Sequence, residues 1–312
     1  MPRPSREDAP RVICRLRGGL GNQLFIYAAA RRLALVSQAE LVLDDVSGFQ
    51  RDHLYRRHNQ LQHFHVPVRS ASPAERLEPL ARLRRPLARW RNRMRPFAQR
   101  TYLEQEGVDF DPRLLALRVR RRLHLDGLWQ SEGYFADVAA TIRADLRIRP
   151  PQDSRNRALA ERIRGQRSAS LHYRCFHPPA ASGPGAPSVQ ADQANAPAAY
   201  YARAIALLEQ QQPVDHYYVF SDRPDQALAS LPLPAGRFTL VSHNRGDSLA
   251  HADLWLMSLC QHAIIANSTF SWWGAWLASR PGQRVVAPGF TLRQGIAWWG
   301  FDGLLPDRWL RA

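Results

Sequence analysis

The stretch Arg17-Gly18-Gly19-Leu20-Gly21-Asn22-Gln23-Leu24-Phe25-Ile26-Tyr27 decides how the chain is read. Before it stands RVICRL (11–16), short and apolar, the pattern of a buried strand. From Asn22 the period changes: Phe25, Ala29, Leu33 and Val36 share one helical face, with Arg31 and Arg32 off it. Gly18, Gly19 and Gly21 are therefore expected in a strand-to-helix turn, where glycine allows positive φ and the close approach of another group. A helix opening in bare N–H groups is an anion site. The same cluster also suits a tight turn with no ligand. Asn22 and Gln23, whose side chains both donate and accept, add specificity to the ligand reading.

Outward from this turn, Glu40–Asp44 (ELVLD) reads as the second strand, ending on Asp44-Asp45. Strand, glycine turn, helix, strand and acid outline a dinucleotide fold, but Leu24 stands where the third glycine of GxGxxG would be. His53, His58, His63 and His65 follow without zinc-ligand spacing and read as surface residues. The arginine-dense segment from Arg76 to Arg100 reads as a solvated helix broken at Pro86, or as a surface for anionic lipid or nucleic acid. A helix is expected over Ala136–Leu146, and the proline-rich RIRPPQDSRNR marks a boundary between domains 1–152 and 153–312.

The second half alternates more cleanly. Strands are expected at 168–174, 216–221, 237–242, 262–266 and finally 284–288. Helices are expected at 200–210, 224–230, 253–261 and 272–279, with a flexible loop over 178–197. Strands alternating with helices predict a doubly wound parallel sheet, with ligands at the strand carboxyl ends. Three ends carry chemistry. Arg174, after His172, is placed to fork onto a phosphate or to make a structural ion pair. Asp222 suits a base or sugar hydroxyl, or the N-cap of the next helix. Asn267-Ser268-Thr269-Phe270-Ser271 forms a phosphate cradle at a helix start, or an ordinary capping loop. Trp272 and Trp273 read as core.

The chain has 312 residues with 45% hydrophobic content, enough for two domains. Net charge is +16, and all 43 basic residues are arginine. That excludes chemistry needing a P-loop or Schiff-base lysine and favours an anionic partner. Cys14, Cys175 and Cys260 form no CxxC pair and read as reduced thiols. MPRPSREDAP shows no signal-peptide core, and no apolar run reaches spanning length. A cytoplasmic protein is expected, with peripheral contact on an anionic inner-membrane surface as an added partner.

GGLGNQLFIY, WQSEGYF, HYR, FSD, MSLCQHAIIANSTFSWWGAWL and LLPDRWL, in this order, resemble the bacterial α-1,2-fucosyltransferases of glycosyltransferase family 11. The resemblance implies an α/β fold of GT-B type, with two facing Rossmann-like domains of parallel sheets. It implies inverting transfer of L-fucose from GDP-β-L-fucose to a galactoside hydroxyl of a glycan, without cofactor or obligate metal. Asp109-Phe110-Asp111 matches a metal-binding DxD string but lies in the wrong half. By position, Arg174 matches an arginine expected on the β-phosphate, and His172 and Asp222 match positions near the guanine. Asn267, Ser268, Thr269, Phe270 and Ser271 match the phosphate and fucose loop. Gly19, Gly21, Asn22 and Gln23 match the motif facing donor and acceptor. The chain departs where a second arginine would stand: Cys175, then Phe176-His177 in place of Gly-Asp. His177 is then the candidate base for the acceptor hydroxyl, or a structural histidine.

Two other readings stand beside this one. A nicotinamide-dependent oxidoreductase would use Gly19, Gly21 and Asp44 but leaves ANSTFSWWGAWL unexplained. A basic module for membrane or nucleic acid would use the 76–100 arginines but needs no alternating βα units. Of these partners, nucleic acid is not expected for the transferase.

Overall fold

Val12, Ile13 and Cys14 are buried on both faces of strand β1 (Arg11–Arg15), as a central strand of a covered parallel sheet requires. The computed structural model describes residues 9–53, 55–176, 194–294 and 297–312. Its chain divides into two compact units, Met1–Arg147 and Ile148–Ala312. The expected boundary at 152/153 falls at Asp153, which caps helix 154–164 by accepting from the Asn156 N–H.

In the first unit β1 leads through helix α1 (Leu20–Val36) to β2 (Glu40–Asp44). Strands β3 (Arg69–Ser70), β4 (Tyr102–Glu104) and β5 (Arg122–Asp126) complete a sheet of order β3-β2-β1-β5-β4, parallel throughout. Helix α1 begins at Leu20, two residues before the expected start, so Gly21 lies inside its first turn and not in the loop. It is buried nearly all round. Its arginines are therefore not simply off the core face: Arg32 forks onto Asp137 at 2.7 Å, and Arg31 reaches Asp145 at 2.8 Å.

Helix α2 (Ala81–Arg93) runs unbroken through Pro86. Proline removes the N–H that would pair with the Arg82 carbonyl, but Arg82 is exposed, so solvent can reach that carbonyl. This helix is tied to the sheet by polar groups. Arg85 reaches Asp44 at 2.9 Å and Arg89 reaches Asp126 at 2.9 Å, the last residues of β2 and β5. Asn92 accepts the Thr101 N–H at 2.6 Å. The expected fully solvated face is thus wrong for Arg85 and Arg89. Two short helices, α3 (Arg113–Ala116) and α4 (Ala139–Asp145), complete the unit. The expected helix over 136–146 starts as a tight turn at Ala136–Val138 and becomes α-helical only at Ala139.

The second unit opens with α5 (Ser154–Arg164) and β6 (Ser168–Tyr173). Then follow α6 (Ala198–Gln211), β7 (His216–Ser221), α7 (Pro224–Ser230), β8 (Phe238–Val241) and α8 (Ala250–Leu259). After β9 (His262–Ile264), α9 (Thr269–Leu277) and β10 (Val285–Ala287), a small antiparallel pair forms between β11 (Leu292–Gln294) and β12 (Ala297–Trp299). A last strand, β13 (Leu310–Arg311), adds to the main sheet, so 284–288 is not the final strand. The order β13-β10-β9-β6-β7-β8, parallel at each pairing, is the Rossmann arrangement. Its topological switch lies between β6 and β9. Trp272, Trp273 and Trp276 are fully buried, and the Trp272 indole donates to the Leu304 carbonyl at 2.9 Å. Trp272 and Trp273 are core, as expected, and so is Trp276; truncating one to alanine would cost about 3–5 kcal/mol. Both units thus have the expected α/β, Rossmann-like parallel-sheet form.

Candidate functional site

Parallel pairing places Tyr173 opposite Ser221. The next residue on each strand is Arg174 and Asp222, so two groups 48 residues apart leave the sheet side by side. Arg174 Nη1 donates to Asp222 Oδ2 at 2.7 Å, and the Cys175 N–H donates to Asp222 Oδ1 at 3.0 Å. The Arg174 guanidinium lies over the Phe176 ring, 4.9 Å from its centroid. Asp222 is not the cap of α7. That helix opens with Pro224, and the Ser221 hydroxyl accepts from the Arg223 N–H. The pair keeps 26% and 31% of its side-chain surface exposed, so an incoming anion can reach the guanidinium. A carboxylate and an aromatic ring together hold it in one plane: the structural ion pair is formed, and the remaining guanidinium N–H groups could still fork onto a phosphate.

On the other side of β6, across the switch, lies the loop from β9 to α9. His172 is buried, and its ring stands 5.6 Å from that of Phe270. Its Nδ1 meets no hydrogen-bond partner among the described residues. Burial, with a smaller push from Arg174, lowers the imidazole to about 3, so the ring is neutral near pH 7. Asn267 is buried too; its amide donates to the Ala194 carbonyl at 2.8 Å while its Oδ1 meets no partner among the described residues. Buried polar atoms are normally paired, so these two at one sheet edge are positions where a ligand could supply the missing hydrogen bonds. Ser268 is the N-cap of α9 and accepts from the Phe270 N–H at 3.3 Å. The Ser271 hydroxyl turns back to the Ser268 carbonyl, so it serves the turn and not the expected diphosphate contact. Thr269 and Phe270 are partly open at the positive end of the helix dipole. The loop is thus both a capped helix start and a potential anion cradle. His177 lies outside the described residues.

The first unit's motif divides differently. Gly18 takes φ +75°, which favours glycine, and a Cβ there would stand 2.7 Å from the Asn22 amide, which would have to move aside. Gly19 is the N-cap of α1. Gln23 is fully buried: its amide donates to the Gly18 and His58 carbonyls at 3.0 and 2.9 Å, and its oxygen accepts from the Gln60 N–H at 2.9 Å. Every group it could offer a ligand is spent on the backbone, so it braces the glycine turn against the 58–60 loop. Asn22 is partly exposed and accepts from Gln130 at 2.9 Å. Asp44, which an oxidoreductase would need for a ribose, is buried against Arg85 and bonds the Ser47 N–H and hydroxyl. Of the four histidines expected at the surface, His53, His58 and His65 are exposed. Among the described residues no group of three or more His, Cys, Asp or Glu is arranged to hold a metal.

One cluster was passed over in the sequence. At the end of β8, His243 Nε2 lies 3.0 Å from the Asn156 side-chain oxygen, which also accepts from Asn244 at 3.0 Å. Asn244 also donates to Asp253 at 2.8 Å. Burial raises the Asp253 carboxyl to about 7, against the opposing pull of Asn244. The signal was the polar Ser242-His243-Asn244 directly after a strand, at a carboxyl end where such residues gather.

Residues 188–294 match the family model described as Glycosyl transferase family 11. That span holds Asp222 and the whole β9–α9 loop. The chain is also similar to an alpha-1,2-colitosyltransferase of Escherichia coli, 25% identical over 308 residues that cover 96% of this chain and 98% of that protein. To the O-antigen biosynthesis glycosyltransferase WbnK of Escherichia coli it is 35% identical over 117 residues, 36% of each chain. Among solved structures, fucosyltransferase NodZ from Bradyrhizobium is 17% identical with a TM-score of 0.46, covering 86% of this chain and 92% of that one. The chain is thus similar to glycosyltransferase family 11 over 188–294, within its second unit, and to a colitosyltransferase along nearly its full length.

Proposed function

We propose that the chain transfers L-fucose from GDP-β-L-fucose, with inversion, to a galactoside hydroxyl of a surface glycan, forming an α-1,2 linkage. The observation that carries this is the convergence of Arg174, Asp222, His172, Asn267 and the start of α9 at the switch point of one parallel sheet. In the reaction the acceptor oxygen bonds to the anomeric carbon as the bond from that carbon to the diphosphate breaks. The leaving GDP takes the electron pair, and the acceptor proton passes to a base. Charge on the departing diphosphate fits Arg174 and the N-terminal turn of α9, which are organised before the substrate arrives. His172 stays neutral and is too weak a base to take the hydroxyl proton, so it suits hydrogen bonding to the nucleotide. Cys175 is buried and contributes no charge where a second arginine would stand. His177 remains the proposed base.

No metal is required in this scheme, and transfer should survive a chelator. The test is calorimetric titration with GDP, GDP-fucose and NAD, followed by transfer to galactosides. Binding of both guanine nucleotides and fucose transfer at 2-OH would support the reading. Binding of NAD alone would overturn it. The similarity to a colitosyltransferase makes a colitosyl donor the competitor to run beside GDP-fucose.

A further inference from the structure

Helix α2 is built inside out. Its polar side chains Arg85, Arg89 and Asn92 face the first unit. Its apolar ones face away: Leu80 just before the helix is 62% exposed, Leu83 68%, Leu87 46%, Trp90 64% and Met94 just after it 78%. These five are half of the ten large apolar side chains exposed among the described residues. The spacing of three and four keeps them on one stripe, about 21 Å long at the helical rise. Arg84, Arg91 and Arg95 follow the stripe along one rim, and Arg82 lies beyond its other side. All four are exposed, and among the described residues none makes an ion pair.

We propose that this face docks on an anionic phospholipid bilayer, with Leu83, Leu87, Trp90 and Met94 entering the headgroup–acyl boundary and the rim arginines meeting lipid phosphates. An aliphatic stripe with one tryptophan between guanidinium rims is the pattern of a helix lying in the interface plane. The charge decides among occupants. A second copy on this face would bring two sets of unpaired guanidiniums together at low dielectric. A nucleic acid would use the arginines and leave the leucines in water. Of these three occupants, only a bilayer satisfies both halves of the surface. The side chains that hold the helix on the protein, Arg85 and Arg89, are spent and take no part. No helix among the described residues is long and apolar enough to cross a membrane, so attachment would be peripheral.

Flotation of the full chain with vesicles tests this directly and needs no transfer reaction, so its failure would leave the proposed activity standing. Phosphatidylcholine vesicles carrying about a third phosphatidylglycerol should capture the protein at low salt and release it as salt rises. Pure phosphatidylcholine vesicles should not. Arg84→Gln/Arg91→Gln/Arg95→Gln should weaken capture on the order of a hundredfold, at about fivefold per arginine. Leu83→Ser/Trp90→Ser should weaken it as clearly, with melting temperature unchanged because both side chains already face solvent. Failure of the unaltered chain to float with anionic vesicles overturns the proposal. So does full capture of the Leu83/Trp90 variant, which would reveal a plain polycation. Dimerisation in light scattering that Trp90→Ser abolishes, without vesicle binding, would assign the stripe to self-association and also overturn it.

Discussion

His172→Phe should make the free protein more stable and its nucleotide binding weaker. The imidazole is buried beside Phe270, and its Nδ1 meets no partner among the described residues. Leaving such an atom dry costs about 1–3 kcal/mol, which a phenyl ring recovers less a small penalty for its extra volume. The pH dependence gives a second signature. The folded imidazole titrates at about 3 against an ordinary 6.5, so below pH 6.5 the unfolded chain binds a proton that the folded one refuses. This contribution is complete above pH 6.5 and is lost as pH falls towards 3; at pH 5 the loss is about 2 kcal/mol. His172→Phe should remove that part of the slope. If Nδ1 meets the nucleotide, GDP affinity should fall about fivefold, the value of one neutral hydrogen bond. Urea unfolding at pH 7 and pH 5, with calorimetric GDP titration, measures all three effects. A variant that is less stable at pH 7, with an unchanged slope and unchanged GDP affinity, would show that Nδ1 is satisfied within the fold and refute the reasoning.

Arg174→Ala should raise the dissociation constant for GDP by about ten- to a hundredfold, the value of a charged hydrogen bond. Arg174→Lys should be nearly as damaging, because Asp222 and Phe176 hold a planar guanidinium that an ammonium does not replace; full affinity in the lysine variant would remove the fork geometry from the account. Asp253→Asn should stabilise the protein at neutral pH. The folded carboxyl titrates at about 7 while the unfolded one ionises near its ordinary 3.8, so the wild type loses stability as pH rises between those values, by at most about 4 kcal/mol. A denaturation series from pH 4 to pH 8 checks this, and equal slopes for both proteins would refute it.

Sequence alone determined the class of fold and which residues leave the carboxyl ends of its strands. Alternation of short apolar runs with helical periods is a local property, so β6 to β10 and their helices were legible from 168 to 288. The carboxyl ends of those strands could be read off as His172, Arg174, Asp222 and Asn267, because a parallel sheet presents ligands there. What those side chains do was decided by partners distant in the chain. Arg174 and Asp222 each had two readings until the register of β6 on β7 paired them. Gln23 looked like a ligand group because its bonds to the 58–60 loop leave no trace in its own neighbourhood. The arginines of 81–93 looked alike in sequence. Asp44 and Asp126, at the ends of two strands far apart in the chain, turned Arg85 and Arg89 inward and left Leu83 and Trp90 outside. Local pattern carries periodicity, but hydrogen bonds and ion pairs depend on which strand ends meet, and only tertiary packing decides that.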